Sequence, residues 1–308
     1  MRRLLAFFLL LPLTATHATP EILPMRERAE VIDRWLADRV QTVLPDLMRR
    51  SGIDLWVIIS REYNEDPVIR TFLPATWQSA RRRTILLIHD PGEGQDLETL
   101  AIARYDVGDT FKKAWDKELH GDQWRRLAEL IAERDPDTIG LNFSETFALA
   151  DGITRTEYDL FRESLAPSLR ERIVSAEELA IGWLETRSAA EMEVYPQIVR
   201  IAHDILAEGL SDAVIQPGVT TTNDVAWWYR DRIRELKLTA WFHPSVSVQR
   251  AEQQALDAKA SIAARHDDDV IRPGDLLHVD FGITYLRLNT DTQQHAYVLR
   301  PGETDVPE

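Results

Sequence analysis

Short apolar runs alternate with amphipathic patterns over the first half of this 308-residue chain, and around residues 177–187 that alternation gives way to two long helices. Apolar runs of strand length occur at 55–60, 84–89, 100–105 and 138–142, with helix-period patterns at 123–134 and 156–165. Strands separated by helices bury a sheet beneath those helices, so the first half is expected to be an α/β domain. A long amphipathic helix is expected ahead of it, over residues 25–50, with Trp35, Leu36, Val40, Val43, Leu44 and Leu47 on its apolar side and a stop near Ser51-Gly52. A single core stops growing at roughly 250 to 300 residues, so two domains are expected. The change of pattern puts their boundary near residues 180/181.

The second half opens on a start signal with a mechanism. In Ser188-Ala-Ala-Glu191 the serine oxygen can accept from the amide three residues on, while the glutamate reaches back to the serine amide. This capping box predicts a helix running to about residue 211. Pro217-Gly218 interrupts, and Thr221-Thr-Asn-Asp224 begins a second helix to about residue 236. Strand-like segments follow at 240–249, 276–284 and 290–299. Trp227 and Trp228 occupy adjacent helix positions and cannot face the same way, so one is expected in the core and the other at a domain or subunit contact. Pro91-Gly-Glu-Gly94 has two glycines of a dinucleotide fingerprint but lacks the third and leads into a strand, which predicts a hairpin turn.

Charge and composition narrow the compartment and the partners. Arg2 and Arg3 precede an apolar run at 4–13, and small residues close it at Thr16-His-Ala18. These are the marks of a secretory signal peptide, residues 1–18, with cleavage expected after Ala18. The run is far shorter than the roughly 20 apolar residues that span a bilayer, so no membrane anchor is expected after cleavage. With no cysteine, neither a disulfide nor a thiol nucleophile is available, which suits an exported protein of a bacterial periplasm. A net charge of −15 repels phosphate backbones. The short run Arg81 to Arg83 is expected to solvate the start of a strand, and no nucleic-acid partner is expected.

Chemistry concentrates near the C-terminus. Asp280 closes one apolar run and Asp291 opens the next, with Gly282 and a turn-permissive Arg287-Leu-Asn289 between them. A hairpin through this segment can hold both carboxylates on one face, because facing side chains on neighbouring strands lie about 4.5 to 5.5 Å apart. Hard divalent cations prefer carboxylate oxygens, and the paired ions of hydrolytic sites lie about 3.5 to 4 Å apart, within reach of bridging carboxylates. Two aspartates at a hairpin are more often turn caps or solvated positions, so the pair alone does not establish a metal role. His278, Asp280, Asp291, Gln293 and His295 share strand parity and can face one cleft. For His278 and His295 an extra ligand or proton shuttle competes with a hydrogen-bonded strand histidine, and the latter is expected.

The run Pro273-Gly-Asp-Leu-Leu-His-Val-Asp280, followed by Asp291, resembles the creatinase, aminopeptidase P and methionine aminopeptidase family. In that family a Gly-Asp turn leads into an apolar strand ending in a metal-binding Asp, and a second such Asp stands eleven positions later, as Gly274-Asp275, Asp280 and Asp291 do here. The resemblance runs from about residue 186 to the end and more weakly through the first half. It implies an α/β N-terminal domain, residues 19–180, followed by a partial α+β pita-bread catalytic domain, residues 181–308.

The same resemblance implies two divalent ions, manganese, cobalt or zinc, with Asp280 and Asp291 as two of five protein ligands. It further implies metal-activated water attacking the N-terminal bond of a short peptide, with proline in second position, and a possible homodimer. The family draws its other ligands, one His and two Glu, from well downstream of the second Asp. Seventeen residues follow Asp291 here (308 − 291), and they offer His295, Glu303 and Glu308. The first part of a longer enzyme, with an incomplete metal site, is therefore expected. A substrate-contacting His precedes the family's Gly-Asp turn, and His266 is the nearest candidate, at a gap to Gly274 shorter than the family's, in competition with His243 of Phe242-His-Pro244. Thr292-Gln-Gln-His295 departs from the family's usual residues after the second Asp, which bears on subgroup and substrate. Two rival readings are a non-catalytic remnant that binds a partner or dimerises, and a creatinase-like carbon–nitrogen hydrolase. Retention of both aspartates weighs against the second rival. The chain has no Gly-x-Ser-x-Gly elbow, no His-Glu-x-x-His helix and no phosphate-binding loop.

Overall fold

The computed structural model describes residues 21–250 and 268–307. The expected signal peptide at 1–18, together with His266, lies outside the described residues. The chain divides into two compact units, one comprising Leu23–Pro196 with Tyr285–Leu288, the other Gln197–Thr284 with Asn289–Glu308.

The N-terminal unit begins with α1 (Met25–Thr42) and α2 (Leu44–Ser51), where the apolar periodicity predicts one continuous helix. Pro45 accounts for the break. Lacking an N–H, and with a ring that crowds the carbonyl four residues back, proline fits the first turn of a new helix and not the interior of a running one. Then come β1 (Leu55–Arg61), α3 (Ile69–Phe72), β2 (Arg83–His89), β3 (Glu98–Ala101), β4 (Lys112–Lys113), α4 (Lys117–His120) and α5 (Gln123–Arg134). After them lie β5 (Ile139–Leu141), α6 (Arg155–Ser164), α7 (Pro167–Arg170), β6 (Ile173–Ser175) and α8 (Glu177–Glu185).

The strands form one mixed sheet in the order β4-β3-β2-β1-β5-β6. Pairings β1–β2 and β2–β3 are antiparallel, while β3–β4, β1–β5 and β5–β6 are parallel. His89 faces Glu98, so Pro91 to Gly94 lie in a hairpin connection, as expected. Both sheet faces are buried, which is why β1 reads as an unbroken apolar run. Trp56 and Ile58 join one core with Leu36, Leu47 and Trp183. Leu55, Val57 and Ile59 join the other with Leu127, Ile131 and Phe161.

The capping box forms as the sequence predicts, with Ser188 N–H donating to Glu191 Oε2 at 2.7 Å and Glu191 N–H to Ser188 Oγ at 3.3 Å. The same Oε2 accepts from the buried Arg39 Nη1 at 2.7 Å. The box opens α9 (Ala189–Gly209), and the division between the units falls at Pro196 inside it.

In the C-terminal unit, Ile198, Ile201, Ala202, Ile205 and Leu206 of α9 are buried, as are Val225, Ala226, Tyr229 and Ile233 of α10 (Thr222–Glu235). Thr221 and Asp224 close a second capping box at the start of α10. Tyr229 donates its hydroxyl to Leu206 O at 3.1 Å. Gly209 permits that approach, since a Cβ there would lie 2.3 Å from the Tyr229 ring. Of the aromatic trio, Trp227 is exposed and Trp228 half-buried, and the core position belongs to Tyr229. Among the described residues the strands that follow are β7 (Thr239–Ala240), β8 (Ser245–Gln249), β9 (Leu276–Phe281), β10 (Ile283–Tyr285), β11 (Leu288–Asn289) and β12 (Thr292–Tyr297), the tip of the β10–β11 hairpin, Tyr285–Leu288, being counted with the N-terminal unit. They form the sheets β12-β9-β8 and β11-β10-β7. The strand expected over 240–249 is split before Pro244, which has no N–H to give a ladder.

Candidate metal-binding strand pair

Strand alternation sorts β9 into two faces. Leu277, Val279 and Phe281 are buried, and Phe281 packs 5.1 Å from the Tyr229 ring centroid. His278 and Asp280 turn the other way and are half-buried. In the register of β12 on β9, Gln293 stands opposite Asp280 and His295 opposite His278. On the other side β8 sets Ser245 opposite Asp280 and Ser247 opposite His278. Residues opposite one another share a face, so this three-stranded sheet has an apolar side and a side of serine, histidine, aspartate and glutamine.

On that polar side the groups differ in how far they are satisfied. His278 Nε2 and Gln293 Oε1 lie 3.0 Å apart, so the imidazole donates to the amide oxygen, and the rings of His278 and His295 are 4.9 Å apart. His278 is thus a hydrogen-bonded strand histidine. Asp280 Oδ1, by contrast, is buried with no hydrogen-bond partner among the described residues. An orphaned buried polar atom costs about 1 to 3 kcal/mol, so its retention calls for a reason.

Asp291 is reached by continuing the same register. Phe281 pairs with Thr292, and Thr290 N–H donates to Ile283 O at 2.9 Å, which sets Asp291 opposite Gly282. Asp280 and Asp291 are therefore diagonal neighbours and not a directly facing pair, and a diagonal spacing is roughly 7 to 8 Å between Cα atoms. Asp291 is exposed. Gly282 is required beside it, because a Cβ would lie 2.4 Å from Trp241 Nε1 and 2.5 Å from the Thr290 carbonyl oxygen. Trp241 Nε1 donates to that same oxygen at 2.7 Å, which fixes the backbone next to Asp291.

The reversal between the aspartates sits at Leu286-Arg287, one residue earlier than the turn-permissive stretch indicates, with φ of 53° and 65°. Two consecutive left-handed residues match the twist of a two-residue hairpin, but without glycine they are disfavoured. Anchoring offsets that cost. Within the N-terminal unit the tip buries Leu286 and Leu288, and Arg287 donates to the carbonyls of Leu73 at 2.9 Å and Thr71 at 3.2 Å. Desolvation lowers the Arg287 pKa from its ordinary value.

The Gly274-Asp275 turn depends on a residue that the sequence pattern does not single out. Arg250, at the exit of β8, donates Nε to Asp275 Oδ1 at 2.8 Å and Nη2 to Oδ2 at 3.0 Å. Burial pushes the Asp275 carboxyl up, but the Arg250 fork and the Arg272 N–H together hold it below the usual carboxylate range. Arg250 also reaches the Val270 carbonyl at 2.9 Å, so it ties β8 to the segment that leads into β9. Nothing in the spacing of Arg250 could have marked it, because the partnership is tertiary.

Other candidates fall elsewhere. His243 is exposed, 3.2 Å from Arg230 Nη1 and with its ring 5.2 Å from that of Trp227. Glu303 accepts from the Arg300 N–H at 2.7 Å. Glu308 lies outside the described residues. Among the described residues no group of three or more histidines and carboxylates is placed to hold a metal ion. The donor set of Asp280 and Asp291 nevertheless fits one: two hard oxygen ligands on one face, one of them desolvated and unpartnered.

Residues 197–304 match the description of metallopeptidase family M24. No curated protein matches. Among solved structures, an X-Pro aminopeptidase from Thermotoga maritima superimposes with a TM-score of 0.56 at 19% identity, over 82% of this chain and 64% of that one. An aminopeptidase P variant from Escherichia coli gives 0.55 at 11% identity, over 91% and 63%. A Xaa-Pro dipeptidase from Bacillus anthracis gives 0.52 at 16%, over 89% and 66%. The chain thus shares their fold and spans a little under two thirds of their length.

Proposed function

We propose that Asp280 and Asp291, which lie in the segment 197–304 that matches metallopeptidase family M24, are ligands of a divalent-metal site that hydrolyses the N-terminal bond of short peptides, with proline favoured in second position. The observation that carries this reading is the unpartnered, buried Oδ1 of Asp280 at the position of the family's first metal-binding aspartate. A carboxylate whose task were structural would have a donor, as Asp275 has in Arg250.

The chain's own groups have distinct tasks in this scheme. Asp280 and Asp291 supply negative oxygens on one side of the β9–β12 pair. Gly282 and Trp241 hold the backbone beside Asp291 in place. When bound, manganese, cobalt or zinc would polarise a peptide carbonyl and lower the pKa of a coordinated water. The family resemblance draws the remaining ligands, one His and two Glu, from well downstream of the second Asp, and the reaction belongs to the completed site. His266 is kept as the proposed substrate contact. Residues 1–18 are proposed to direct export and to be removed after Ala18, which N-terminal sequencing of exported protein beginning at Thr19 would establish.

Equilibrium dialysis against Mn²⁺, Co²⁺ and Zn²⁺, together with chromatographic assay of a Xaa-Pro peptide, tests the proposal. Metal bound by the full chain and lost in both Asp280→Ala and Asp291→Ala is expected, with any turnover lost in parallel. Metal retention in those variants would refute the ligand assignment. Metal binding without turnover would favour the non-catalytic reading for this chain.

A further inference from the structure

In the N-terminal unit, the ends of β1 and β2 set two arginines side by side, Arg61 being paired with Arg83 in the antiparallel register. Like charges at facing positions destabilise a strand pair. Glu157 of α6, fully buried, compensates in part by receiving Arg83 Nε at 2.8 Å and Arg61 Nε at 3.3 Å. One carboxylate between two guanidiniums leaves positive charge over, and more of it converges nearby. Ile102 N–H donates to Ile85 O at 2.9 Å, extending the β2–β3 pairing. Just beyond, Arg104 lines the same cavity of about 620 Å³ as Arg61, Arg82 and Arg83.

The arginine run at 81–83 would by itself only solvate a strand. The fold changes its meaning by bringing in Arg61 from the end of β1 and Arg104 from the bend that follows β3. Arg82 reaches Glu62 at 3.9 Å from an almost fully exposed side chain. Four guanidiniums therefore meet two carboxylates, an excess of two positive charges (4 − 2), in a chain of net charge −15. The frame is also preset. Gln123 Nε2 donates to the carbonyls of Arg83 at 3.2 Å and Ile102 at 2.6 Å, Arg83 lies 4.8 Å over the Trp124 ring, and Arg104 lies 5.7 Å over that of Trp115. Arg83 already places Nε and Nη2 on Glu157 at 2.8 and 3.3 Å and so contributes charge, while the guanidiniums of Arg61 and Arg104 offer donors suited to oxyanions and a concave wall concentrates the field.

We propose that this cavity binds a compact oxyanion carrying two or more negative charges, a phosphate or polycarboxylate group, gripped by Arg61 and Arg104, with Arg83 adding charge behind them and Arg82 at the rim. The site is independent of the aspartate pair. Isothermal titration of the full chain in metal-free buffer, with inorganic pyrophosphate in one arm and citrate in the other, distinguishes the two sources of charge. Saturable one-to-one binding in at least one arm is expected. It should weaken about tenfold in Arg104→Gln and in Arg61→Gln, the latter leaving Arg83 to neutralise Glu157. Asp280→Val should bind as the parent does. Arg155→Gln, which removes an equal charge from an exposed pair with Asp159, serves as control. Circular dichroism melting confirms that each variant is folded. No saturable binding in either arm, or equal weakening in Arg155→Gln, would overturn the proposal.

Discussion

Replacing Asp280 by valine is expected to stabilise the metal-free protein, the reverse of what most substitutions at half-buried strand positions do. The carboxylate occupies β9 between buried Val279 and Phe281, and its Oδ1 has no donor among the described residues. A polar atom stranded in this way costs about 1 to 3 kcal/mol, and a β-branched side chain of similar size removes that cost while suiting the pleat. The gain should therefore be about 2 kcal/mol, which at a urea slope of about 1 to 3 kcal/mol per molar raises the midpoint by roughly 1 M. Saturating Mn²⁺ should stabilise the parent, by about 2.7 kcal/mol at a hundred times its dissociation constant, and leave the variant unmoved. Urea melts of both proteins with chelator and with Mn²⁺ read all four numbers. A lower midpoint for the variant in chelator would mean that Asp280 has a structural partner. An equal response to Mn²⁺ in both proteins would mean that the ion binds elsewhere.

Three further outcomes follow from the surrounding structure. Asp66 is fully buried, and its pKa is pushed up to about 6, chiefly by desolvation against its hydrogen bonds from Asn142 and Val68. Its neutral form is thus favoured by the fold, so its contribution is fully present below the unfolded pKa near 3.9 and is lost as pH rises through about 6, a change of roughly 3 kcal/mol. Denaturant midpoints compared with Asp66→Asn between pH 4 and 7 should diverge with that sign, and parallel curves would refute it. Arg250→Met strands the Asp275 carboxylate and should cost about 3 kcal/mol near neutral pH. Because the Asp275 pKa is depressed, that gap should close as pH falls below about 4, and a gap that persists in acid would exclude the ion pair as its origin. Gly282→Ala forces a Cβ against the Thr290 carbonyl and Trp241 Nε1, and should cost at least about 2 kcal/mol with altered tryptophan fluorescence. An unchanged midpoint would show that the strand junction beside Asp291 is loose.

Sequence alone was sufficient wherever the determining physics is local. The capping box at Ser188 forms, and the helix expected from Thr221 starts there, because each needs only side chains three residues apart. The shared polar face of His278, Asp280, Gln293 and His295 follows from strand alternation and one register. The family resemblance rested on the same short stretch. Tertiary structure decided what depends on partners far apart in the chain. The break before Pro45 was locally encoded but hidden by an apolar period that runs through it. The diagonal placement of the aspartates, the Arg250 clamp on Asp275 and the cluster of Arg61, Arg83 and Arg104 come from pairings between segments that no spacing rule connects. Asp280 was legible as a residue type at a position. That its oxygen is buried without a donor could be known only once the strands on both sides were in place, because desolvation belongs to an environment and not to a residue.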